Sequence, residues 1–126
     1  MTGFKTWLRA GNFIDGAWVG ADSGETIEVT NPATGDVIGT IPNAGEAETT
    51  RAITAAQAAF PGFAAMDLMS RVGLLWNLHD ALMDNADDLA ELLTVEMGKP
   101  LAEAKGEITI GAQYIRWFAE EARRAK

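Results

Sequence analysis

Hydrophobic and polar residues alternate over short stretches in the first third of the chain. Residues 12–19 place apolar flanks around Asp15-Gly16, a dipeptide that suits the positive φ angles of a two-residue hairpin turn. Residues 27–30 alternate as a half-buried strand should, and residues 37–41 follow as its return strand. The segment N-P-A-T-G at residues 31–35 separates them, and Pro42 stops the second strand. The pattern predicts two β-hairpins after a loose lead-in over residues 1–11.

From residue 43 the apolar positions recur with helical spacing. Asn43 and Glu46 resemble a capping box in front of an Ala-rich helix, which Pro61-Gly62 is expected to end. Asp67 is predicted to cap a second helix. Its apolar stripe consists of Leu68, Val72, Leu75, His79 and Leu82, with Leu74 and Leu78 beside it.

Two further helices are predicted in the last third of the chain. Asn85 is the expected N-cap of the third helix, and Gly98 occupies the position of a helix-ending C′ residue, with Pro100 following. The fourth helix begins near Leu101 and continues for about six turns. Its main apolar stripe consists of Leu101, Ala104, Ile108, Ala112, Ile115, Ala119 and Ala122.

The fourth helix also carries a second apolar stripe, formed by Ile110, Tyr114 and Trp117. A helix that is apolar on two sides usually lies between two layers of structure, and short strands and other helices are all that these residues offer. The bare chain is therefore expected to expose a large apolar patch. We expect self-association, or dye binding typical of loose packing.

Composition excludes several classes of function. The net charge is −8, and the main basic cluster is Arg123, Arg124 and Lys126, which is interpreted as the cationic last turn of a helix rather than a nucleic-acid interface. No Cys is present, so no disulfide or thiol nucleophile lies in these residues. No apolar run reaches the length of a membrane span, and residues 1–10 lack a signal peptide's apolar stretch. A soluble, cytoplasmic protein is expected.

Residues that could carry chemistry are few. The sequence contains neither a G-x-G-x-x-G nor a P-loop motif, so no phosphate-binding loop is assigned. His79 could act as a lone general base or simply pack on the apolar face of its helix. The acidic cluster could hold a cation or form a solvated helix start. It consists of Asp84, Asp87, Asp88 and Glu91.

Glu103 and Glu107 lie four residues apart on one helix face, with Lys99 four residues before Glu103. Paired carboxylates can perform acid–base catalysis. Ordinary surface ion pairing explains the same spacing. The residues alone therefore indicate an α+β chain without a catalytic set.

Several segments in order resemble the start of the aldehyde dehydrogenase superfamily. They are F-I-D-G-A-W at residues 13–18, V-T-N-P-A-T-G-D-V-I at 29–38, the Ala-rich helix up to Phe60, and E-M-G-K-P at 96–100. The resemblance covers residues 12–125. Residues 98–108 and 117–124 look most like succinate-semialdehyde dehydrogenases.

The resemblance implies an α/β protein in which residues 1–126 are an incomplete N-terminal part of a Rossmann-like cofactor-binding domain. Two hairpins and about four helices would pack on its parallel sheet and help wall the substrate tunnel. The implied reaction is the NAD(P)-dependent oxidation of an aldehyde to an acid, with succinate semialdehyde as the best-matched substrate. Its Cys nucleophile, oxyanion-stabilising Asn and general-base Glu lie beyond residue 126 in the family, and so do the cofactor-binding residues.

The resemblance also implies a structural monovalent cation in some relatives. The matching positions are the backbone carbonyls of Val29 and Thr30 and the side chain of Glu96. Glu stands where the cation-binding relatives carry Asp. Glu96 could therefore be a helix-end carboxylate without an ion.

Three interpretations of the chain remain open. It could be a fragment of a homo-oligomeric NAD(P)-dependent dehydrogenase, inactive alone, whose partner is the remainder of that chain or a homologous subunit. It could be a non-catalytic remnant that docks on a full-length subunit. It could also belong to a split enzyme whose second chain supplies the Cys and the cofactor site. No nucleic acid or membrane partner is expected.

Overall fold

A computed structural model describes residues 3–124 and divides them into two compact units. The hairpin unit comprises Leu8–Ala65. The helical unit comprises residues 3–7 together with 66–124.

The first hairpin joins β1 (Asn12–Ile14) to β2 (Ala17–Val19) in antiparallel register, with Ile14 opposite Ala17. Asp15 and Gly16 occupy the turn with φ angles of 50° and 78°. Both angles are positive, as a type I′ turn requires, and the two-residue hairpin prediction is confirmed.

The second hairpin joins β3 (Thr26–Thr30) to β4 (Val37–Pro42). Its connection closes through a hydrogen bond of 2.7 Å from the Gly35 N–H to the Asn31 carbonyl, with Gly35 at a φ of 79°. The pairing shifts between Val29 and Thr30, which marks a β-bulge. Pro42 is the last residue of β4, as predicted.

The start and end of α1 (Glu46–Ala65) both differ from the prediction. The cap is Gly45, whose carbonyl accepts the Thr49 N–H, while the Glu48 carboxylate accepts the Gly45 N–H. The capping box therefore lies two residues later than the pair Asn43 and Glu46. Pro61 is inside the helix because its fixed φ is helical and it removes a single backbone donor, so the expected end at Pro61-Gly62 is wrong.

The helical unit contains α2 (Leu68–Asp84), α3 (Ala86–Met97) and α4 (Leu101–Ala122). A short 3₁₀ helix, Phe4–Trp7, precedes them in sequence. Its Trp7 indole Nε1 donates to the Asp88 carboxylate at 3.4 Å. The lead-in predicted to be loose is thus partly ordered, because an aromatic side chain attaches it to α3.

Local signals explain most helix boundaries in this unit. The Asp67 carboxylate accepts the Ser70 N–H at 3.0 Å, which confirms the predicted N-cap of α2. Gly98 ends α3 with a φ of 78° and donates its N–H to the Thr94 carbonyl. Asn85 precedes α3 but caps nothing with its side chain, because its amide donates back to the Ala81 carbonyl at 2.7 Å. Asn85 therefore occupies the predicted N-cap position, but its side chain makes no capping hydrogen bond.

Small side chains form the centre of the helical unit, where α4 packs on α2 and α3. Alanine leaves room for two helix backbones to approach closely. The main stripe of α4 is buried or half-buried from Ala104 to Ala122, so its predicted inward orientation is confirmed, although Leu101 is 45% exposed. The fully or almost fully buried apolar residues are Val72, Ala90, Ala104, Ala112 and Ala119.

The second stripe of α4 lies at the surface, and so do Ile53 and Phe60 of α1. The cationic cluster lies just past the last turn of α4, since the helix ends at Ala122 with Arg123 as its C-cap, while Lys126 is outside the described residues. Between residues 3 and 124 no helix has the length and apolarity needed to cross a membrane. Two hairpins and four helices confirm the predicted fold class.

Candidate functional surfaces

The outer face of α4, defined by Ile110, Gln113, Tyr114 and Trp117, lines a shallow cleft of about 270 Å³. Its apolar members are 56–65% exposed. Helical spacing places these residues on the side opposite the buried alanines, so close packing inside the unit fixes the direction of the face. Aromatic walls with a single amide can contact an apolar surface or a small molecule.

Charged residues border the outer face at both ends. Lys99 donates to the Glu107 carboxylate at 2.6 Å, and this hydrogen bond raises the pKa of the Lys99 ammonium. Lys99 precedes α4, so it reaches eight residues along the chain instead of forming the four-residue pair with Glu103. At the other end, Arg124 contacts Glu121 at 3.1 Å. The ion-pairing interpretation of Lys99 and Glu107 is therefore confirmed.

A larger groove of about 870 Å³ lies within the hairpin unit, between the first hairpin and α1. Ile14, Val19 and Ala55 contribute apolar surface, and Asp22 and Arg51 lie at its polar end. The Arg51 guanidinium donates to both oxygens of the Asp22 carboxylate, at 2.6 and 2.8 Å. This bond lowers the pKa of Asp22 and raises that of Arg51. The Arg51 guanidinium is thus already paired with the Asp22 carboxylate.

Glu48 is a carboxylate that sequence reasoning missed, and it is 5% exposed. It accepts the backbone N–H of Asp22 at 2.5 Å and that of Gly45 at 3.0 Å. These N–H donors, that of Asp22 first, hold the pKa of Glu48 below its ordinary value. Glu48 thereby connects the turn at residues 21–24 to the start of α1. The local signal was a Gly three residues before a Glu, since Gly is an accepted N-cap residue.

His79 packs against neighbours on its own helix, which agrees with the second of its two interpretations. Its side chain is 18% exposed, its ring meets Trp76 edge-on at 5.5 Å, and Nδ1 lies 2.8 Å from an Asp80 carboxylate oxygen. Both neighbours lie on the same helix. This environment fits a helix-face histidine and gives no arrangement with a second catalytic group.

The acidic residues at the start of α3 bind protein groups. Asp87 pairs with Lys105 at 2.7 Å, and Asp88 accepts from the Trp7 indole. Within the described part of the chain, no three His, Asp or Glu side chains are grouped so that they could hold a metal ion. The interpretation as a solvated helix start is favoured over a cation cluster.

The three residues of the predicted monovalent cation site fall in two units. Val29 and Thr30 adjoin the β-bulge of β3, where regular pairing is interrupted. Glu96 is exposed in the last turn of α3. Neither unit contains all three residues, so a cation bound by all three stays a prediction.

Comparison with known proteins gives a consistent result. The profile described as the aldehyde dehydrogenase family matches residues 18–126. A glutarate-semialdehyde dehydrogenase of Pseudomonas aeruginosa is 54% identical over 117 residues, which is 93% of this chain and 24% of the relative. An NADP(+) succinate-semialdehyde dehydrogenase of Escherichia coli is 50% identical over 117 residues, which again is 93% of this chain and 24% of the relative.

The solved structures agree with the sequences. A succinate-semialdehyde dehydrogenase from Burkholderia pseudomallei superimposes with a TM-score of 0.92 at 50% identity, covering 96% of this chain and 25% of that one. The chain therefore spans about a quarter of the length of the relatives it matches.

Proposed function

We propose a function from one premise, which is that this chain belongs to the aldehyde dehydrogenase family. We infer that residues 1–126 form the N-terminal part of a cytoplasmic, NAD(P)-dependent enzyme that oxidises succinate semialdehyde to succinate. The observation that carries this proposal is the identity of at least 50% over 117 residues to two semialdehyde dehydrogenases. The substrates in their names are both short aldehydes with a carboxylate at the far end, which supports this substrate class.

The contribution of these residues is structural in this proposal. Close packing around Ala104, Ala112 and Ala119 holds α4 as a rigid support. Its outer face then presents Ile110, Tyr114 and Trp117 as part of the apolar wall near the substrate. Binding sites for small molecules are commonly lined in this way, with a few polar groups that set orientation.

The reacting groups are proposed to lie outside these residues. The chain has no Cys, and the implied chemistry needs an activated thiol. Residues 3–124 also offer no evident phosphate cradle: the Gly45 N–H is bound to Glu48, and Arg51 is bound to Asp22. The described residues therefore do not fit a dinucleotide. We expect the chain alone to be inactive.

A chimeric enzyme tests the proposal. Residues of this chain would replace the matching segment of the Escherichia coli relative, and NAD(P)H formation would be followed with each cofactor. We expect the chimera to oxidise succinate semialdehyde, and the chain alone to give no signal. Glutarate semialdehyde and butanal serve as matched substrates of different length and charge. A chimera that folds like the intact relative but remains inactive would contradict the proposal.

The exposed outer face of α4 favours one second candidate, a split enzyme in which this chain docks on a separate chain that supplies the reacting groups. Mixing the chain with the downstream part of the same relative, produced separately, distinguishes the two. Activity that appears on mixing supports a split enzyme. Activity confined to the covalent chimera supports the N-terminal part of a single chain.

A further inference from the structure

The turn of the first hairpin contains a dipeptide whose backbone can rearrange chemically. Asp15 is the one aspartate in the sequence that a glycine follows, and no asparagine precedes a glycine. Asp15 and Gly16 are both exposed, and a Cβ atom placed on Gly16 would meet no heavy atom of the described residues within 4 Å. Because Gly16 has no side chain, nothing beside its backbone nitrogen hinders attack by that nitrogen on the Asp15 side chain.

The rearrangement has two steps, and water is its only co-reactant. The Gly16 nitrogen attacks the side-chain carboxyl carbon of Asp15, the C–N bond forms, and the carboxyl hydroxyl leaves with the amide proton as water. Attack within one molecule is favoured because the two groups are already close together. Water then opens the resulting succinimide ring. Cleavage of the new bond restores aspartate, whereas cleavage of the original peptide bond gives isoaspartate, in which the main chain runs through the former side chain.

The closed hairpin slows this reaction, but the hairpin is short. Asp15 and Gly16 have φ angles of 50° and 78° in the closed turn, and a succinimide ring needs a rotation at Asp15 that a type I′ turn does not allow. The turn must therefore open first. Strands β1 and β2 have three residues each and form a separate two-stranded sheet. A hairpin of this kind is marginally stable, so local opening costs little free energy.

An aromatic pair across the two strands stabilises the closed hairpin. Phe13 lies opposite Trp18, and their ring centroids are 5.3 Å apart. The Arg9 guanidinium lies 6.0 Å from the centre of the Trp18 ring. Cross-strand aromatic pairs favour the paired state of a hairpin. Loss of the Trp18 ring should therefore increase the fraction of open hairpin and the rate of rearrangement.

Asp22 is a comparison site in the same unit, because a small residue, Ser23, follows it. Its carboxylate accepts from the Arg51 guanidinium at both oxygens, at 2.6 and 2.8 Å, and its own N–H donates to Glu48. These contacts hold the carboxylate away from the Ser23 nitrogen. Asp22 should therefore remain unchanged under conditions in which Asp15 rearranges.

We propose that Asp15 is a site of spontaneous isoaspartate formation, which alters the first hairpin as the protein ages. Isoaspartate adds one carbon to the main chain, so the two-residue turn no longer fits the pairing of Ile14 with Ala17. Strands β1 and β2 should then separate, and Ile14 and Val19 should leave the wall of the groove beside α1. This inference does not depend on the proposed function, because it concerns the chemistry of a single turn.

Ageing of the chain in warm neutral buffer tests the proposal. Isoaspartate would be measured by transfer of a labelled methyl group from S-adenosylmethionine, with a methyltransferase that accepts isoaspartyl residues, and located by peptide mapping. Wild type should gain the label at residue 15 and not at residue 22. Asp15→Glu should lose it, because glutamate would have to close a larger ring. No label at residue 15, or equal label in wild type and Asp15→Glu, would overturn the proposal.

Asp15→Asn separates the chemistry of the turn from its shape. Asn-Gly suits a type I′ turn as well as Asp-Gly does, so the hairpin should be retained. The leaving group changes from water to ammonia, which an amide releases more readily than an ionised carboxylate releases its oxygen. Label should therefore appear several times sooner than in wild type. An unchanged or lower rate would mean that the turn cannot reach the ring geometry, and the proposal would fail.

Two tryptophan variants test whether hairpin opening controls the rate. Trp18 and Trp117 have similar exposure, 56% and 59%, but Trp117 lies on α4. Trp18→Ala should raise the rate of isoaspartate formation by about two- to tenfold, which corresponds to the loss of one aromatic pair. Trp117→Ala is the matched control and should leave the rate unchanged. Equal rates in both variants would contradict the opening step, and unchanged amide exchange in β1 and β2 of the aged chain would contradict the predicted separation.

Discussion

Different interactions stabilise the helical unit and the hairpin unit. The helical unit buries five apolar side chains, and four of them are alanines with no exposed surface. In the hairpin unit, the described residues buried to this degree are Pro42 and Glu48. Order in the first unit follows from close packing of helices, whereas order in the second follows from turn geometry and hydrogen bonds.

The two kinds of stabilisation are sensitive to different substitutions. Alanines lose no side-chain entropy on folding and allow close helix contact, but they leave no space for a larger side chain. Turns with positive φ angles at Gly16, Gly24 and Gly35 need no core, but they depend on the absence of a Cβ atom. The two units should therefore respond to different substitutions.

The largest effect is expected from overfilling the alanine core. Ala112→Leu inserts a branched side chain at a position with no exposed surface, and should destabilise the helical unit by about 3 kcal/mol. Denaturant unfolding followed by hydrogen exchange would measure this loss in α2 and α4, with the hairpin unit unaffected. Ala102→Leu, an exposed change on the same helix, is the control. Equal losses from both variants would mean that the buried alanines do not determine stability.

The second effect concerns Glu48. Its pKa lies below its ordinary value of 4.5 because the folded state favours the ionised form. The stabilisation is therefore complete above about pH 4.5 and is lost as the pH falls through the folded pKa. Glu48→Gln has only one acceptor oxygen for two N–H donors, so faster amide exchange is expected at Asp22 and Gly45 above pH 4.5.

The protection factors of these two amides, which are corrected for the intrinsic pH dependence of exchange, should fall in wild type to those of the variant as the pH is lowered. In Glu48→Gln the same protection factors should not change with pH. Glu28→Gln, an exposed change on β3, controls for the loss of one charge. A pH response retained in Glu48→Gln would assign it to another carboxylate.

Sequence predicted the features that depend on neighbouring residues. Asp15-Gly16, Asp67 and Gly98 act within a few residues, so their turn, cap and helix end were all predictable. The contact from Glu48 to the Asp22 N–H spans 26 positions and had no local signature. The dipeptide Pro61-Gly62 predicts a helix end, but the other hydrogen bonds of the 20-residue helix outweigh the destabilisation that this proline causes.

The candidate surface was predictable in part for the same reason. The second stripe of α4 follows from helical spacing, and its exposure is confirmed at Ile110, Tyr114 and Trp117. The ion pair between Lys99 and Glu107 was not predictable, since it depends on where α4 begins. The predicted cation at Val29, Thr30 and Glu96 needs an arrangement of two units that periodicity does not describe.

A third, smaller effect is expected at the first hairpin turn. Gly16 has a φ of 78°, and an added Cβ would meet no atom within 4 Å, so Gly16→Ala tests backbone strain without a steric clash. The expected loss is about 1 kcal/mol. Gly20→Ala is the control, because Gly20 has equal space without a positive φ. Amide exchange in β1 and β2 would measure the difference, and equal rates in the two variants would contradict a turn-determined hairpin.

The smallest effect on stability is expected at the Asp22–Arg51 pair, whose side chains are 59% and 49% exposed. Arg51→Lys replaces a two-point hydrogen bond with a single ammonium contact, but solvent screens an exposed pair, so the melting temperature should barely change. The pKa of Asp22 is held low first by its hydrogen bond to Arg51, and it should rise toward 3.8 in the variant. An NMR titration of the Asp22 carboxyl group measures this shift. A raised pKa with unchanged melting would indicate that the buried Glu48, not the exposed pair, orders the hairpin unit; a large fall in melting temperature would reverse that assignment.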